Sequence, residues 1–401
     1  MRPSGIEWIG DIPDDWEVRR GKYTLDLLMR PIRDNDEIIT CFRDGQVTRR
    51  SNRREDGFTF ADKEIGYQGI LKGDLVIHGM DGFAGAIGIS DSDGKGSPVL
   101  NVCRPKNGSD TRYINYYLRT LALQNVFIAL STGIRERSCD LRWKKIAELL
   151  FTIPPLKTQQ KIADYLDDKC GEIDATIAKQ KESIEKLKAY KQSLISEIVT
   201  KGLDKSAPLK PSGIKWLGEI PQNARIIRLR FLSSIQTGDK DTVNRVENGK
   251  YPFYVRSPIV ERIDTFSFDG EAILMAGDGV GAGKVFHYVN GKFDYHQRVY
   301  NIHNLKGVLG KFLYYYLREN FYKEIEQSNA KSTVDSIRLP MLLDFPIIVY
   351  PYDLQKEMVS FLDKKVAEID TIIIKKQNII QKLDAYKKSL IFECVTGKQI
   401  T

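Results

Sequence analysis

The chain has 401 residues, of which 42% are hydrophobic and 28% are charged. This composition is that of a globular protein, and it excludes a disordered, collagen-like or low-complexity chain. Because single hydrophobic cores rarely grow past about 250–300 residues, the length predicts two or three domains. The 61 Lys and Arg exceed the 53 Asp and Glu, and the formal charge of +8 is compatible with a polyanionic partner.

The five cysteines lie far apart and show no CxxC spacing, which argues against a zinc site and against a disulfide framework. No segment approaches the roughly 18 apolar residues of a membrane span, and no hydrophobic leader follows Met1. We therefore expect a cytoplasmic protein without a metal site.

The first recognisable segment, PSGIEWIGDIP at residues 3–13, returns as PSGIKWLGEIP at residues 211–221. Eight of the eleven positions are identical, at an offset of 208 residues. We name both copies the PSGI motif. A match of this quality indicates an internal duplication.

A variable region follows each PSGI motif. In the first, the glycine-punctuated apolar run at residues 71–90 predicts strands joined by tight turns, and residues 111–131 predict an amphipathic helix. Residues 270–289 and about 307–327 repeat this order, so both regions are predicted to be α+β and built mainly on strands. They share little sequence beyond the tetrapeptide YYLR, which begins at Tyr116 and at Tyr315.

A long helix is predicted after each variable region, because residues 157–200 align with residues 353–396 at an offset of 196 and carry heptad periodicity. At 1.5 Å per residue, such a helix reaches roughly 65 Å. Its narrow apolar stripe needs a partner, and the other copy is always present in the same chain. An intermolecular coiled coil is the alternative. The predicted seam residues are Leu166, Ile173, Ile177, Ile184, Leu187, Leu194, Leu362, Val366, Ile369, Ile373, Ile380, Leu383 and Leu390.

Polar residues interrupt this seam at two equivalent places, where Gln180 aligns with Lys376 and Lys191 aligns with Lys387. Polar seam residues commonly set the register or orientation of a coiled coil. Alternatively, the long side chains extend past a loosely packed layer. The sequence leaves both interpretations open.

Motifs for chemistry are missing from the sequence. Gly277, Gly279 and Ala282 fit GxGxxA by letter, but the following KVFHYV predicts a strand instead of the helix that a dinucleotide site requires. The four histidines show neither metalloprotease nor deaminase spacing. A catalytic role is therefore not expected.

Basic segments in the variable regions suit DNA. Residues 43–54 hold five arginines without an apolar period, which predicts a solvated loop with a local positive footprint. Residues 14–152 carry 22 basic and 20 acidic residues, so binding must use local patches or a partner's surface. The candidate DNA-binding residues are Arg43, Arg49, Arg50, Asn52, Arg53, Arg54, Arg135, Arg137, Arg142, Lys144, Lys145, Lys240, Arg245, Arg256, Lys284, Gln297, Arg298, Lys331, Ser332 and Arg338.

The whole arrangement resembles the DNA specificity subunit of type I restriction–modification systems. The resemblance rests on Ile12-Pro13 with Trp16, on IPPLKTQQKIADYLD at residues 153–167, on KLKAYKQSLISEIVTKGL at residues 186–203, and on their second copies. The second copies depart in two places, since Ala224 corresponds to Trp16 and YPYDLQKEMV opens the second long block.

The resemblance implies an α+β fold with a pseudo-two-fold internal repeat. Two mainly-β target recognition domains with helices are separated by two long coiled-coil helices, and the resemblance alone makes these helices antiparallel. The implied division is a first recognition domain at 1–152, a spacer helix at 153–203, a linker with the second domain at 204–346, and a second spacer helix at 347–401. By pseudo-symmetry, the PSGI motif at residues 3–13 is expected to pack near the end of the second long helix.

The resemblance also implies a function. Each variable domain reads one half of a bipartite, asymmetric sequence in double-stranded DNA, while the helices set the spacing and dock other subunits. The chain is expected to hold no cofactor, because two modification (methyltransferase) subunits with S-adenosylmethionine, and restriction/translocase subunits with ATP and Mg²⁺, supply the chemistry. The alternatives are a coiled-coil scaffold without DNA readout and a DNA-modifying enzyme.

Overall fold

A computed structural model describes residues 1–53, 65–129, 141–328 and 336–399. The chain divides into two compact units, of which the first combines Met1–Gln180 with Gln377–Thr401 and the second is Lys181–Lys376. Each unit therefore contains one variable region and parts of both long helices. No helix in the described ranges combines the length and apolar character of a membrane span.

The first unit contains short strands and helices before the first long helix. The strands are β1 (Arg2–Pro3), β2 (Asp11–Ile12), β3 (Glu17–Arg20), β4 (Leu25–Leu27), β5 (Ile39–Cys41), β6 (Val47–Arg49), β7 (Gln68–Ile70), β8 (Leu75–His78), β9 (Ile87–Ile89), β10 (Gly94–Gly96), β11 (Leu100–Pro105) and β12 (Leu150–Ile153). The helices are α1 (Gly21–Thr24), α2 (Thr111–Leu123), α3 (Val126–Ala129), α4 (Trp143–Ile146) and the long α5 (Leu156–Lys201).

The first variable region is closed by the pairing of β3 with β12, in which Arg19 lies opposite Phe151. Between these strands, β4, β11, β8 and β9 form an antiparallel sheet in that order. Helix α2 packs on the sheet, since Tyr113 and Tyr117 share a core with Leu75 and Ile87. The strands predicted at residues 71–90 are confirmed as β8 and β9.

The helix predicted at residues 111–131 is interrupted. It ends at Leu123, because Asn125 takes a left-handed φ of 57°, and the short α3 follows. Residues 130 and 131 lie outside the described part of the chain. Asparagine tolerates this conformation better than other residues with side chains, and it therefore ends the helix where periodicity alone predicts continuation.

The arginine segment at residues 43–54 was wrongly predicted as a loop. Strand β6 lies within it and pairs antiparallel with β5, and Arg43, Asp44 and Gly45 form the turn between them, with Gly45 at a φ of 92°. An Asp-Gly pair is a strong hairpin signal that the dense arginines obscured. Arg54 lies outside the described residues.

The second unit is built around a larger sheet. Its strands are β13 (Leu209–Pro211), β14 (Glu219–Pro221), β15 (Arg225–Arg228), β16 (Ser234–Thr237), β17 (Tyr251–Tyr254), β18 (Val260–Ile263), β19 (Phe268–Ala276), β20 (Phe286–Tyr295), β21 (Val299–His303) and β22 (Pro346–Val349). Its helices are α6 (Gly310–Ser328), α7 (Leu339–Leu343) and the long α8 (Tyr352–Val395), which continues into the first unit.

The second variable region follows the plan of the first. Strands β15 and β22 pair antiparallel and close it, as β3 and β12 close the first region. The sheet order is β16-β21-β19-β20-β17-β18, and only the β17–β20 pairing is parallel. Helix α6 begins at Gly310, three residues after the predicted start, since Gly307 takes a left-handed φ of 67°.

The two long helices pack against each other inside each unit, and all thirteen predicted seam residues are buried or half-buried. In the first unit, Leu166 and Ile177 of α5 share a core with Ile380 and Leu390 of α8. In the second unit, Ile195 of α5 shares a core with Met358, Val359 and Leu362 of α8. An apolar stripe that neither helix could shield alone is thereby covered.

Lysines in this seam make ion pairs with the opposite helix. Lys387 Nζ lies 2.6 Å from Asp174 Oδ2 in the first unit, and Lys191 Nζ lies 2.5 Å from Asp370 Oδ1 in the second. The offset of 196 relates the two lysines and also the two aspartates, so the two pairs are copies of one interaction. In each pair, the ammonium of a half-buried lysine meets a carboxylate of the opposite helix, which happens at only one alignment of the two helices. Polar seam residues that set the register of a coiled coil act in this way.

Each PSGI motif packs at the end of a long helix in its own unit. Ile9 and Ile12 share a core with Leu390 and Val395 of α8, and Lys398 Nζ donates to the Asp11 carbonyl at 2.6 Å. In the second unit, the motif's Leu217 and Ile220 join Ile195 and Val199 of α5. The expected packing of residues 3–13 near the end of the second long helix is confirmed.

Reversing one seam charge tests the cross-helix pairs. Lys387→Asp brings two carboxylates together, and we expect a loss of about 1 kcal/mol in the free energy of unfolding, as is typical of partly exposed pairs. Adding Asp174→Lys restores the attraction and should recover most of the loss. Denaturant unfolding of the full chain measures both, with Lys388→Asp at an exposed neighbouring position as the control. A double variant no more stable than Lys387→Asp contradicts the pairing.

Candidate nucleic-acid interface

A cleft of about 640 Å³ opens beside the β5–β6 hairpin in the first unit. The first glycine loop, residues 79–85, forms one side through Asp81, and three candidate arginines, Arg43, Arg50 and Arg53, line the cleft with Thr40. The hairpin places these arginines close together because Arg43 lies in its turn while Arg50 and Arg53 follow β6. The cleft is thus concave and carries more basic than acidic side chains.

The cleft arginines are partnered by local acids and rings. Arg43 pairs with Asp81 at 2.8 Å, and Arg53 pairs with Asp44 at 2.8 Å while covering the Phe42 ring at 4.1 Å. The Arg43 side chain remains 67% exposed. Surface pairs of this kind contribute about 0–1 kcal/mol, so a phosphate or base edge can replace the carboxylate at small cost. The pairs orient the guanidinium groups without fixing them.

Two other candidates on this hairpin do not line the cleft. Arg49 pairs with Glu37 at 2.8 Å, and Asn52 Nδ2 donates to Thr48 Oγ1 at 2.9 Å. The hairpin therefore divides the arginine-rich segment into residues that line the cleft and residues that do not. Composition alone could not make that division.

The second basic segment is anchored next to the first glycine loop. Leu141 N donates to the Gly79 carbonyl at 2.8 Å, and Asn101 Nδ2 donates to the Leu141 carbonyl at 2.9 Å. Arg142 follows this anchor directly, and Lys144 and Lys145 follow within the first turn of α4. Arg135 and Arg137, which precede it, lie outside the described residues.

The second unit has a matching arrangement at its own glycine loop, residues 277–283. Arg256 follows the hairpin strand β17 and pairs with Asp278 of this loop at 3.0 Å, as Arg43 pairs with Asp81. Arg298 reaches the same carboxylate at 3.6 Å. The loop also presents Val280, which is 99% exposed.

The anchor next to the loop is repeated as well. Ile337 N donates to the Gly277 carbonyl at 2.7 Å, and Tyr300 Oη donates to the Ile337 carbonyl at 2.9 Å. Arg338 therefore stands where Arg142 stands in the first unit. Tyr300 performs the task of Asn101 although the two side chains are unrelated, so an alignment of the two halves hides the equivalence.

The remaining candidates of the second unit are dispersed. Gln297 Nε2 donates to Asp241 at 3.0 Å, and the Gln297 backbone N–H donates to the Lys240 carbonyl. These contacts place Gln297 and Lys240 beside Arg298. Arg245 pairs with Glu261 of β18 at 3.6 Å. Lys284 instead covers the ring of Tyr322 on α6, at 4.3 Å. Lys331 and Ser332 lie outside the described residues.

His78 also lines the first cleft, and sequence reasoning missed it. Its Nδ1 accepts hydrogen bonds from the backbone N–H groups of Asp81 at 2.9 Å and Met80 at 3.2 Å. The ring proton therefore resides on Nε2, which can donate to purine N7, guanine O6 or thymine O4. Burial lowers the His78 pKa, and nearby Arg43 adds to this while Asp81 opposes it. The position of His78 next to a glycine loop was the only available signal.

Titration of His78 tests this geometry. Because its pKa is lowered from the ordinary 6.5, we expect a neutral ring at pH 7, with the proton on Nε2. Nitrogen-detected NMR of histidine-labelled protein measures tautomer and pKa, and His78→Gln assigns the signal. An imidazole that titrates above 6.5, or a proton on Nδ1, contradicts the observed hydrogen bonds.

Comparison with known proteins adds a family match. The family described as "Type I restriction modification DNA specificity domain" matches residues 51–188 and again residues 226–384. The type I restriction enzyme EcoDI specificity subunit of Escherichia coli is 27% identical over 181 residues, covering 45% of this chain and 40% of that protein. The MjaVIII specificity subunit of Methanocaldococcus jannaschii is 27% identical over 280 residues, covering 64% and 63%. The chain thus spans less than two thirds of either relative.

Two solved structures share the fold. A chain from a structure concerned with complex assembly and conformational transition of the type I R-M system has a TM-score of 0.75 at 14% identity, covering 97% of this chain and 100% of that chain. The crystal structure of the HsdS subunit from Thermoanaerobacter tengcongensis has a TM-score of 0.53 at 14% identity, covering 97% and 98%. The predicted α+β fold with two variable regions and long helices agrees with both.

Proposed function

The chain belongs to the type I restriction–modification DNA specificity family, and we propose that its two glycine-loop sites each read one half of a bipartite DNA target. The repeated Arg–Asp pair at the glycine loop carries this proposal, since Arg43–Asp81 and Arg256–Asp278 occupy equivalent places in otherwise dissimilar domains. Arginine is the residue that most often recognises guanine through two hydrogen bonds. As a specificity subunit, the chain recognises DNA and is not itself an enzyme.

The two sites differ in the side chains that surround the shared pair. The first offers His78 and Arg50, whereas the second offers Arg298 and Gln297. Since different donors and acceptors select different base edges, the two half-sites differ and the target is asymmetric. The long helices set the separation of the half-sites.

Partner subunits supply the chemistry in this proposal. Two modification subunits bind S-adenosylmethionine and methylate DNA, and restriction/translocase subunits use ATP and Mg²⁺. The exposed faces of the long helices are the proposed docking surface for the modification subunits. Tyr190 of α5 and Tyr386 of α8, related by the 196-residue offset, are 57% and 55% exposed, and exposed tyrosines are typical anchors of protein interfaces. Two equivalent tyrosines support two docked copies.

Exchange of one variable region tests the assignment of half-sites. We expect that replacing residues 14–152 by the corresponding region of a family member changes one half-site and leaves the other half-site and the spacer length unchanged. Mapping methylated adenines in DNA from cells that carry the chain with its modification partner measures all three. Methylation without sequence preference, or a change in both half-sites, refutes the proposal.

Neutralising the cleft arginine that is not assigned to base readout tests phosphate contact. For Arg53→Gln, we expect weaker binding and a salt-dependence slope reduced by about one, since each phosphate contact contributes about 0.9. Equilibrium binding of the full chain with its modification partner to the mapped duplex, between about 50 and 200 mM salt, gives the slope. Arg49→Gln, on the same hairpin but outside the cleft, is the matched control. An unchanged slope in Arg53→Gln assigns the phosphate contact elsewhere.

A further inference from the structure

One aspartate of a long helix joins the variable domain to that helix in the first unit. Asp167 of α5 accepts a hydrogen bond from Tyr116 Oη on Oδ1 at 2.7 Å. Its Oδ2 accepts from Arg112 Nη1 at 2.7 Å. Both donors lie on α2, so both oxygens of this carboxylate are engaged by the same domain helix.

The second unit contains the same arrangement. Asp363 of α8 accepts from Tyr315 Oη on Oδ1 at 2.7 Å and from Lys311 Nζ on Oδ2 at 2.6 Å, and both donors lie on α6. The offset of 196 that aligns the long helices relates Asp167 to Asp363. The two tyrosines are the first residues of the two YYLR tetrapeptides, so this position of the tetrapeptide makes the same contact in both regions.

A glutamine two helical turns earlier provides a second attachment. Gln159 Oε1 accepts from the backbone N–H of Asp110, the N-cap of α2, at 2.9 Å. Gln355 Oε1 accepts from the backbone N–H of Leu309, directly before α6, at 2.8 Å. Both glutamines are buried. Each glutamine precedes its aspartate by eight positions, which places both on one face of the long helix.

These contacts hold the variable domain in one orientation on the long helix. Burial, together with the hydrogen bond to Asp167, raises the pKa of Tyr116 far above its ordinary range, so its hydroxyl remains a donor at every working pH. Hydrogen bonds to a carboxylate are shorter and stronger than neutral ones, and their geometry is directional. Two attachment points on one helix face, separated by about 12 Å, resist rotation of the domain about the long helix.

We propose that Asp167 and Asp363 are positioning residues for DNA recognition, each fixing the orientation in which its variable domain meets its half-site. Base readout needs donors and acceptors at set distances and angles, whereas phosphate contacts tolerate displacement. A domain that rocks on its helix therefore loses discrimination between bases before it loses affinity for DNA. This inference rests on the proposed function and assigns residues remote from the glycine-loop sites to it.

The contacts made by Asp167 and those made by Asp363 differ in strength. Arg112 also pairs with Asp164 at 2.8 Å and with Asp110 at 3.2 Å, which keep it attached when Asp167 is removed. Ser360 stands at the position of α8 that corresponds to Asp164, so α8 offers Lys311 no second carboxylate there. Loss of Asp363 is therefore the more damaging change.

The test compares base discrimination at the two half-sites. The full chain with its modification partner is bound to the mapped duplex and to duplexes with one base pair changed in either half. We expect Asp363→Ala to lower discrimination about tenfold in the half-site read by residues 222–346, as loss of charge-assisted hydrogen bonds predicts. Discrimination in the other half should stay unchanged. Asp167→Ala should lower discrimination in the opposite half by a smaller factor.

Further variants separate positioning from a general loss of stability. Asp168→Ala removes an exposed carboxylate beside Asp167 and should change neither half-site. Tyr116→Phe and Tyr315→Phe keep the ring, remove one hydrogen bond, and should lower discrimination in the same half as the corresponding aspartate, which serves the test if an alanine variant fails to fold. Equal losses in both halves, or weaker binding with unchanged discrimination, overturn the inference. Absence of sequence preference in the unaltered complex refutes the proposed function instead.

Discussion

The structure depends on covering a narrow apolar stripe on two long polar helices. Neither α5 nor α8 can bury that stripe alone, and each unit solves the problem by packing a segment of one against a segment of the other. Lys191 and Lys387 within the stripe pair with aspartates of the opposite helix. The variable domains and PSGI motifs then share the cores so formed, which leaves their outer loops and hairpins available for other contacts.

The two halves keep the same hydrogen-bond contacts but make them with different side chains. The anchor beside the glycine loop uses Asn101 in the first unit and Tyr300 in the second. The contact with the aspartate of the long helix likewise uses Arg112 in the first unit and Lys311 in the second. In both cases, two different side chains place a hydrogen-bond donor at equivalent positions of the two units. The frame can therefore stay constant while the side chains around each glycine loop diverge, as the proposed reading of two different half-sites requires.

Much of the frame could be predicted because it follows from local periodicity and repetition. The long helices and their seam needed only the heptad periodicity and the offset of the repeat, whereas the packing of the PSGI motif was expected from the pseudo-symmetry that the family resemblance implies. The candidate site was harder, because ion pairing joins residues far apart in the sequence. Arg43 lies 38 residues from Asp81, and Arg49 carries the same charge as Arg43 while facing Glu37. A count of arginines cannot distinguish the two.

The sequence by itself determined the duplication, the two helices and the family, since heptads and repeated motifs are properties of residue order. Only the tertiary structure decided which arginines share a cleft, that the arginine segment is a hairpin, and that His78 stands in the first site. It also showed that Asp167 and Asp363 bind donors of α2 and α6, although along the helix they look like ordinary solvated charges. The physical reason is that a carboxylate's function depends on the donors within about 3 Å of it, and folding alone brings those donors there.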